Sequence, residues 1–238
     1  MWLEEATYSL ETKMKIPYFS MSQNRLHSLT LTITNLACAR GDKLLFEGFS
    51  LEAADGEIVE IKGPNGVGKS SLLRIIAGLA PAHKGEMVLA SSEEADLVIE
   101  DHAHFLSHQN ALKEGLSVTE NLNFWHQFSQ EQGLLPNQAL EQVALPHLAE
   151  LPVGVLSAGQ KRRVAFARLL VDRRTIWLLD EPTAALDASA DELVGGLISN
   201  HAKSGGIVLA ATHLPLQIDT DQVSVKTIQL DEYQGGQG

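Results

Sequence analysis

A single glycine-rich stretch carries the residue types that bind a chain of phosphates. It comprises Gly63, Pro64, Asn65, Gly66, Val67, Gly68, Lys69 and Ser70, with Ser71 directly after it. Glycines let successive backbone N–H groups surround phosphate oxygens, the lysine adds a positive charge, and the serine hydroxyl suits Mg²⁺. A strand-like run precedes this stretch and a helical pattern follows it, so a purely structural turn is the weaker interpretation. The stretch, termed the phosphate loop, predicts nucleotide binding.

Two adjacent acids supply the groups that a phosphate loop needs for hydrolysis. The apolar run at residues 175–179 leads directly into Asp180 and Glu181. An acid at a strand end can hold Mg²⁺ together with Ser70, and Glu181 can polarise an attacking water. Such a pair also occurs in solvated turns, but the buried strand before it disfavours that interpretation. A phosphate loop alone is common to kinases, GTPases and transport ATPases. The pair Asp180 and Glu181 reduces the number of these protein classes that fit the sequence.

A second candidate anion site lies far from the phosphate loop in the sequence. This signature motif consists of Leu156, Ser157, Ala158, Gly159 and Gln160. Ser157 and Gln160 have the spacing of a capping box, in which each side chain bonds the backbone N–H of the other residue. A serine hydroxyl and outward-pointing amides at a helix N-terminus can also bind a phosphate, including one held by a second subunit. Both interpretations can hold together.

The motifs require an α/β layer that positions them. Alternating, β-like residues start near Ser28, and the strand EIVEIKG leads through the phosphate loop into the helical KSSLLRIIAGLA. Strands are also predicted at TIWLLD, IVLAATH and VSVKTIQL, and helices at QKRRVAFARLLV and ASADELVGGLISNHA. From about Phe105 to Val155, a capping box at Ser117 and Glu120 followed by several prolines predicts a small helical insertion. Strand, glycine loop and helix in this order are typical of nucleotide-binding α/β folds.

Composition excludes several classes of protein. The 238 residues are 44% hydrophobic and 20% charged, which is ordinary for a globular chain. With 18 basic and 30 acidic residues the net charge is −12, which argues against binding nucleic acid or an anionic lipid surface. The lone Cys38 excludes an internal disulfide and a cysteine zinc cluster, and reads as a small apolar strand residue. No apolar run predicts a membrane span or a signal peptide, so we expect a cytoplasmic protein.

The motifs in this order resemble the ATP-binding subunits of ABC transporters. The phosphate loop, LSAGQ, LLDEP with Ala185-Leu186-Asp187 behind it, and Ala211-Thr212-His213 carry the resemblance, which spans about Leu29 to Leu230. LSAGQ in place of LSGGQ, and phrases such as TIWLLDEP and GGIVLAATHLPL, are most similar to the ATPase subunits of haem exporters in bacterial cytochrome c maturation. The resemblance implies a P-loop NTPase fold with a RecA-like α/β core, an antiparallel β subdomain and a helical subdomain. It also implies ATP hydrolysis coupled to transport.

The family pattern implies roles for individual residues. Gln109 would link Mg²⁺ and water to the helical subdomain, and His213 would contact the γ-phosphate. Ser157 and Gly159 would contact ATP bound in the opposite protomer, with Asp187 at the dimer interface. Taken alone, Gln109 could be a surface amide, Asp187 a helix N-cap and His213 a hydrogen-bonded histidine near a strand end. The implied catalytic set is Glu181, His213 and Gln109, and the implied Mg²⁺ ligands are Ser70, Gln109 and Asp180.

The resemblance also implies partners and a location. We expect a homodimer that binds ATP and Mg²⁺ and drives an integral membrane permease of the haem exporter type. It would sit peripherally on the cytoplasmic side of the bacterial inner membrane. No nucleic acid partner and no direct haem binding are expected. His104 and His108 have a spacing that could share a metal on a helix, but we interpret them as loop residues.

Two features depart from the family pattern. The segment before the second strand offers Arg40 and no aromatic residue that could stack on adenine, which puts base selectivity in doubt. Residues 1–25 form an extension ahead of an ATPase domain at 26–238, either a real tail or a misassigned start with Met21 as the first residue. The basic cluster Lys161-Arg162-Arg163 is interpreted as a solvated face.

Alternative functions are another small ABC exporter, a non-transport ABC ATPase and, more weakly, a P-loop kinase.

Overall fold

The strands and helices follow the predicted α/β order in a computed structural model, which describes residues 28–129, 131–221 and 223–234. The extension at residues 1–25 lies outside the described residues. The strands are β1 (Thr30–Arg40), β2 (Lys43–Ala54), β3 (Glu57–Lys62), β4 (Lys84–Ala90), β5 (Ala103–Leu106), β6 (Ile176–Asp180), β7 (Ile207–Ala211) and β8 (Ser224–Gln229). The helices are α1 (Lys69–Ile76), α2 (Ile99–His102), α3 (Val118–Phe128), α4 (Pro136–Gln142), α5 (Ala158–Val171) and α6 (Ala188–Lys203), with 3-10 turns at Pro146–Leu148, Val153–Val155 and Leu230–Tyr233.

An antiparallel sheet forms the first layer. Its strand order is β2-β1-β4, with β1 in the middle. The alternation of SLTLTITNLAC places Leu31 and Ile33 in the core, as period-2 patterning requires. Cys38 is buried in β1, which confirms its interpretation as an apolar strand residue. Burial raises the pKa of its thiol, although a hydrogen bond with Ser71 opposes that shift.

A parallel sheet forms the second layer, in the order β5-β6-β7-β3-β8. Alternate residues of its central strands enter two different cores because side chains of a strand point to opposite faces. In β6, Ile176 and Leu178 pack with α1 and the antiparallel sheet, whereas Trp177 and Leu179 pack with α5 and α6. Trp177 is therefore a core residue, as predicted. At one edge of the sheet, Lys226 of β8 pairs with a carboxylate of β3, with its Nζ 2.7 Å from Glu57 Oε2.

The predicted helical insertion at about 105–155 begins later than predicted, because Phe105 and Leu106 belong to β5 and its first helix is α3. This part of the chain packs on α5 through buried leucines such as Leu122 and Leu140. Ser117 caps α3, and its side chain and that of Glu120 each accept a hydrogen bond from the other residue's backbone N–H, which confirms the predicted capping box. The prediction for His104 is wrong, because this residue lies buried in β5 rather than in a loop. Within the described residues, no helix is long and apolar enough to cross a membrane.

Four parallel strands deliver the candidate site residues to one place. The carboxyl ends of parallel strands meet at the same edge of a sheet, where α/β proteins bind their ligands. Here β3 ends at the phosphate loop and β6 ends at Asp180, while Gln109 and His213 follow the ends of β5 and β7. This carboxyl edge of the parallel sheet positions the candidate site residues.

Candidate functional site

The phosphate loop joins β3 to α1 and holds its lysine in place. Lys69 is buried, and its Nζ donates hydrogen bonds to the carbonyl oxygens of Gly63 (2.7 Å) and Pro64 (3.3 Å). Gly68 precedes α1 with φ +119°, and a Cβ there would lie 3.0 Å from Phe46 Cδ1. Only glycine fits that conformation and that space. The buried ammonium beneath a glycine-rich backbone forms a cradle suited to phosphate oxygens.

A hydroxyl and a carboxylate from distant parts of the chain meet beside this cradle. Ser70 Oγ on α1 donates a hydrogen bond of 2.9 Å to Asp180 Oδ1 at the end of β6. Asp180 is buried, so the sheet fixes its carboxylate at this place. Hydroxyl and carboxylate oxygens are the ligands that Mg²⁺ takes beside nucleotide phosphates. The donor set therefore fits Mg²⁺.

Glu181 and His213 form a second polar pair at the same edge. His213 Nδ1 lies 2.8 Å from Glu181 Oε2. The backbone of Glu181 has φ +47°, in the left-handed region, and its N–H donates to the carbonyl oxygen of Ala211 on β7. The His213 side chain is 57% exposed, so water and a phosphate can reach the pair. A carboxylate held against an imidazole can accept a proton from water and keep its orientation.

Gln109 lies three residues after β5, which places it at the carboxyl edge beside β6. It is exposed, and Ser107 Oγ bonds both its backbone N–H and its carbonyl oxygen. No hydrogen bond joins the Gln109 side chain to Ser70 or Asp180 among the described contacts. The structure thus brings Ser70 and Asp180 together and leaves Gln109 on a separate loop nearby.

The signature motif forms the start of α5. The capping box between Ser157 and Gln160 is confirmed, with Ser157 N–H donating to Gln160 Oε1 (2.9 Å) and Gln160 N–H donating to Ser157 Oγ (3.2 Å). Leu156 is buried, whereas Ser157 and Ala158 are exposed. A hydroxyl that accepts one bond in a cap still has its own proton to donate. The helix start is therefore available to an anion from outside the chain.

The loop that leads to Asp187 packs against the signature motif. A Cβ on Gly159 would lie 3.2 Å from the Ala185 carbonyl oxygen, so the small residue permits this close approach. Asp187 caps α6 and accepts a 2.8 Å bond from Ala190 N–H, as its local interpretation predicted. That bond, together with one from Ser189, lowers the pKa of the Asp187 carboxyl. Its side chain remains exposed beside Ser157's helix.

One charged residue of the site escaped the sequence analysis. The basic cluster on α5 was predicted to be a solvated face, and this is wrong for Arg162, which is 3% exposed. Its guanidinium donates to the carbonyl oxygens of Ser107 (2.6 Å) and Glu181 (2.8 Å). Burial lowers its pKa to about 10, so it stays charged at neutral pH. Lys161 and Arg163 are half-buried: the Lys161 side chain is 23% exposed and pairs with Glu114, and Arg163 Nη1 donates to the Val143 carbonyl oxygen.

The remaining candidates from the sequence are His104, His108 and Arg40. His104 Nε2 lies 2.6 Å from the Asp172 carbonyl oxygen, and burial lowers its pKa to about 4. It is thus a neutral, hydrogen-bonded core histidine, while His108 lies exposed in the following loop. Arg40 is exposed at the end of β1, before the turn into β2.

The sequence and fold match known proteins over most of their length. A family model described as ABC transporter matches residues 46–184. The protein is 48% identical over 190 residues to a Rhodopseudomonas palustris BisB5 relative named cytochrome c biogenesis ATP-binding export protein CcmA, covering 80% of this chain and 94% of that one. A relative of the same name from Rhizobium etli is 48% identical over 197 residues, covering 81% and 92%.

Solved structures of ATP-binding proteins have a similar fold. A putative ABC transporter ATP-binding protein from Pyrococcus furiosus superposes with a TM-score of 0.73 at 24% identity, covering 87% of this chain and all of that one, and so supports the fold alone. An ATP-binding cassette solved as a dimer in a post-hydrolysis state with ADP and Pi superposes with a TM-score of 0.66 at 26% identity, covering 77% and 88%.

Proposed function

The chain belongs to the ABC transporter family of ATP-binding proteins, and we propose that it is the ATP-hydrolysing subunit of a haem exporter in cytochrome c maturation. Proteins of this family bind nucleotide and act as dimers. The observation that carries the proposal is the carboxyl edge, where Ser70–Asp180 and Glu181–His213 each lie within hydrogen-bond distance beside the phosphate loop. The specific function rests on the cytochrome c biogenesis name shared by relatives at 44–48% identity.

ATP binding falls to the phosphate loop. Backbone N–H groups of residues 63–71, except the N of Pro64, would surround the β- and γ-phosphates, and Lys69 Nζ would exchange its carbonyl partners for phosphate oxygens. Ser70 and Asp180 would hold Mg²⁺, with Gln109 joining them from its loop. Mg²⁺ supplies positive charge that offsets the charge developing on the phosphates.

Hydrolysis falls to Glu181, His213 and Gln109. The Glu181 carboxylate accepts a hydrogen bond from the attacking water and orients it toward the γ-phosphate. His213 holds that carboxylate through the 2.8 Å contact and offers its second ring nitrogen to the γ-phosphate side. Little covalent chemistry is needed, because positioning and charge neutralisation supply most of the rate in phosphoryl transfer.

A second copy of the chain completes each ATP site. Leu156 anchors the signature motif in the core, while Ser157 and Gly159 present a hydroxyl and an amide at the exposed start of α5. We assign these groups to the γ-phosphate bound in the opposite protomer, with Ala158 and Gln160 shaping and capping the turn. Asp187, whose loop packs on Gly159, lies at the dimer interface in this arrangement.

The remaining assignments concern domains and location. We assign residues 26–238 to the ATPase domain, residues 1–25 to an N-terminal extension, and the segment at about 105–155 to the helical subdomain. Gln109 lies near the start of this subdomain, so a movement at the γ-phosphate can shift it as a block against a membrane permease. The complex would place this chain on the cytoplasmic side of a bacterial inner membrane, with the permease and not this chain handling haem.

Complementation tests the proposed function. A bacterium that lacks its own CcmA-type export ATPase should assemble c-type cytochromes when it expresses this chain with the matching permease. Haem staining of membrane proteins measures the outcome, and purified chain should hydrolyse ATP in parallel. Normal ATP hydrolysis without cytochrome assembly would indicate another exporter or a non-transport ATPase, and absent hydrolysis would overturn the proposal as a whole.

Charge reversal on the helical subdomain tests the permease contact. Glu114 is 73% exposed in its side chain and pairs with Lys161 at 2.8 Å. Glu114→Lys, or reversal of the neighbouring Lys113, should weaken capture of the permease and leave basal ATP hydrolysis unchanged, since neither residue reaches the carboxyl edge. Glu93→Lys, on an exposed loop of the β subdomain, is the matched control. Loss of permease capture and hydrolysis together would indicate misfolding.

A further inference from the structure

Arg162 is a buried cation whose hydrogen bonds all leave its own helix. It lies on α5, five residues after Ser157, and is 3% exposed. Burying a guanidinium costs several kcal/mol unless its donors are satisfied, so the positions of its acceptors matter. Those acceptors belong to the two loops that carry Glu181 and Gln109.

One side of the guanidinium holds the end of β6. Arg162 Nη2 donates to the carbonyl oxygens of Asp180 (2.9 Å) and Glu181 (2.8 Å), and Nε donates to that of Pro182 (2.9 Å). Three consecutive carbonyls therefore bond one planar group. The middle residue, Glu181, has a left-handed φ of +47°, a conformation that is unfavourable for a non-glycine residue. The bonds from Arg162 and the N–H bond to Ala211 hold this residue on both sides of its backbone.

The other side of the guanidinium holds the loop after β5. Arg162 Nη1 donates to the Ser107 carbonyl oxygen (2.6 Å) and to Asn110 Oδ1 (3.2 Å). These two acceptors flank Gln109. The loop is exposed at residues 108 and 109, so its attachment to the core depends on few contacts, and Arg162 provides two of them.

We propose that Arg162 is a positioning residue that ties the signature helix to the loops of Glu181 and Gln109, so that the three move as one unit when the nucleotide site closes. The inference rests on the proposed ATP hydrolysis. Movement of Ser157 onto a phosphate displaces α5, and the guanidinium passes that displacement to the carboxylate that orients water and to the amide near Mg²⁺. Arg162 itself does not reach the reacting atoms.

The geometry requires arginine and not merely a positive charge. The bonds use Nε, Nη1 and Nη2 in fixed, coplanar directions, which is the donor pattern of a guanidinium. A lysine ammonium carries the same charge but has three donors at one point and cannot reach both loops. Arg162→Lys therefore keeps the charge and removes the connection.

Steady-state kinetics of full-length Arg162→Lys is the first test. We expect kcat for ATP hydrolysis to fall on the order of tenfold or more, while KM for ATP and the Kd for a fluorescent ATP analogue stay within about threefold. Arg174→Lys is the matched control, because Arg174 also bonds a backbone carbonyl but lies before β6, at the opposite edge of the sheet. It should keep kcat. Wild-type kcat in Arg162→Lys would overturn the proposal.

A double-mutant cycle with Glu181→Gln separates positioning from stability. Glu181→Gln removes the Glu181 branch and leaves the Gln109 branch, so adding Arg162→Lys should lower the residual rate by only about two- to fivefold and not by the full loss seen in the wild-type background. A merely structural role would give independent, multiplicative losses and parallel losses in nucleotide binding, and would overturn the proposal. Absence of hydrolysis in the wild-type chain would instead reject the proposed function.

If Arg162→Lys does not fold, Asn110→Leu tests the proposal instead. It removes one acceptor of the Gln109 branch and leaves the buried charge with its other partners. We expect kcat to fall by about two- to fivefold, in line with one hydrogen bond, with an unchanged melting temperature. Wild-type kcat for this variant would count against the connection to the Gln109 loop and so against the proposal.

Discussion

The two candidate phosphate-binding regions of this molecule are built in opposite ways. The phosphate loop lies over buried groups: Lys69 is held by two carbonyl oxygens, and Ser70 reaches Asp180 across 110 positions of sequence. The signature motif lies at an exposed helix start, and Ser157 finds its partner only three residues away in Gln160. The first region is assembled by the whole fold, and the second by one turn of helix.

The difference indicates which region needs a second chain. A site with buried charge and several prearranged donors can bind nucleotide alone, because its cost of organisation is met during folding. A single capped helix start with an exposed hydroxyl binds an anion weakly, and its affinity depends on what a partner presents to it. In the proposed dimer, ATP on the phosphate loop of one protomer would be the ligand of the signature motif on the other.

Glu181→Gln should give the largest effect and isolates hydrolysis from binding. Lys69, Ser70 and Asp180 are untouched, so ATP and Mg²⁺ should still bind, but hydrolysis should fall on the order of a hundredfold or more. The dimer bridged by ATP should then persist, and size-exclusion chromatography with ATP should reveal it. Phosphate release at the wild-type rate would falsify the role assigned to Glu181.

Ser157→Arg in the Glu181→Gln background should remove that dimer. The longer side chain fills the exposed helix start, whereas the phosphate loop of the same chain is unaffected. A fluorescent ATP analogue should bind as before while the dimer peak disappears. Ser117→Arg, at the other capping box, is the control and should keep the dimer. A dimer that survives Ser157→Arg would remove the signature motif from the interface.

Nucleotide selectivity should be low, since the phosphate groups contribute most of the contacts in this arrangement. The segment 37–45, from the end of β1 into the start of β2, offers the exposed Arg40 and no aromatic ring, whereas aromatic stacking contributes about 1–3 kcal/mol per base. In competition binding, ATP should be preferred over GTP by less than about a hundredfold, which corresponds to roughly 2.7 kcal/mol. A larger preference would require a base contact outside this segment.

The capping boxes at Ser117 and Ser157 should contribute equally to stability, but only the one at Ser157 should affect dimerisation. Ser117→Ala and Ser157→Ala each remove one N-cap hydrogen bond, so each should lower the free energy of unfolding by about 1 kcal/mol. Urea denaturation measures this loss. Only Ser157→Ala should also weaken the ATP-dependent dimer. Equal effects on the dimer would mean that general stability, and not the signature motif, controls association.

Removal of residues 1–20 should have the smallest effect. The β pattern starts near Ser28, and the carboxyl edge draws on residues from 63 onward, so a chain that starts at Met21 should keep its melting temperature and its ATP hydrolysis. Thermal denaturation and phosphate release test this together. Aggregation or a much lower melting temperature would show that the extension packs on the ATPase domain.

Sequence patterns predicted the elements whose signal is local. The alternation of β1, the apolar run of β6 and both capping boxes depend on neighbours along the chain, and the structure confirms them. β4 was missed, because its start is polar and exposed and its pairing with β1 is not visible in its own residues. β5 is only four residues long, which is too short for a periodic pattern.

The residues of the candidate site also divide into those with a local sequence signal and those without one. Lys69, Ser70 and Asp180 belong to motifs in which residue type and spacing together are typical of nucleotide sites. The sequence therefore predicted a phosphate and metal site at these residues. Arg162 had no such signal, because its partners are backbone carbonyls more than 50 positions away in one loop and about 20 in another. A basic residue beside Lys161 and Arg163 has the pattern of a surface charge, and only the packed fold places it inside.

The pairing of Lys226 with Glu57 has a consequence for how copies of this chain meet. Strands at the margin of a sheet can recruit a strand from another molecule, which leads to aggregation, and lysine side chains on such strands oppose it. β8 carries the exposed Lys226, and β5 at the opposite margin has only four residues. Strand-to-strand association is thereby disfavoured at both margins of the parallel sheet, so we expect contacts between copies of this chain to form elsewhere on its surface.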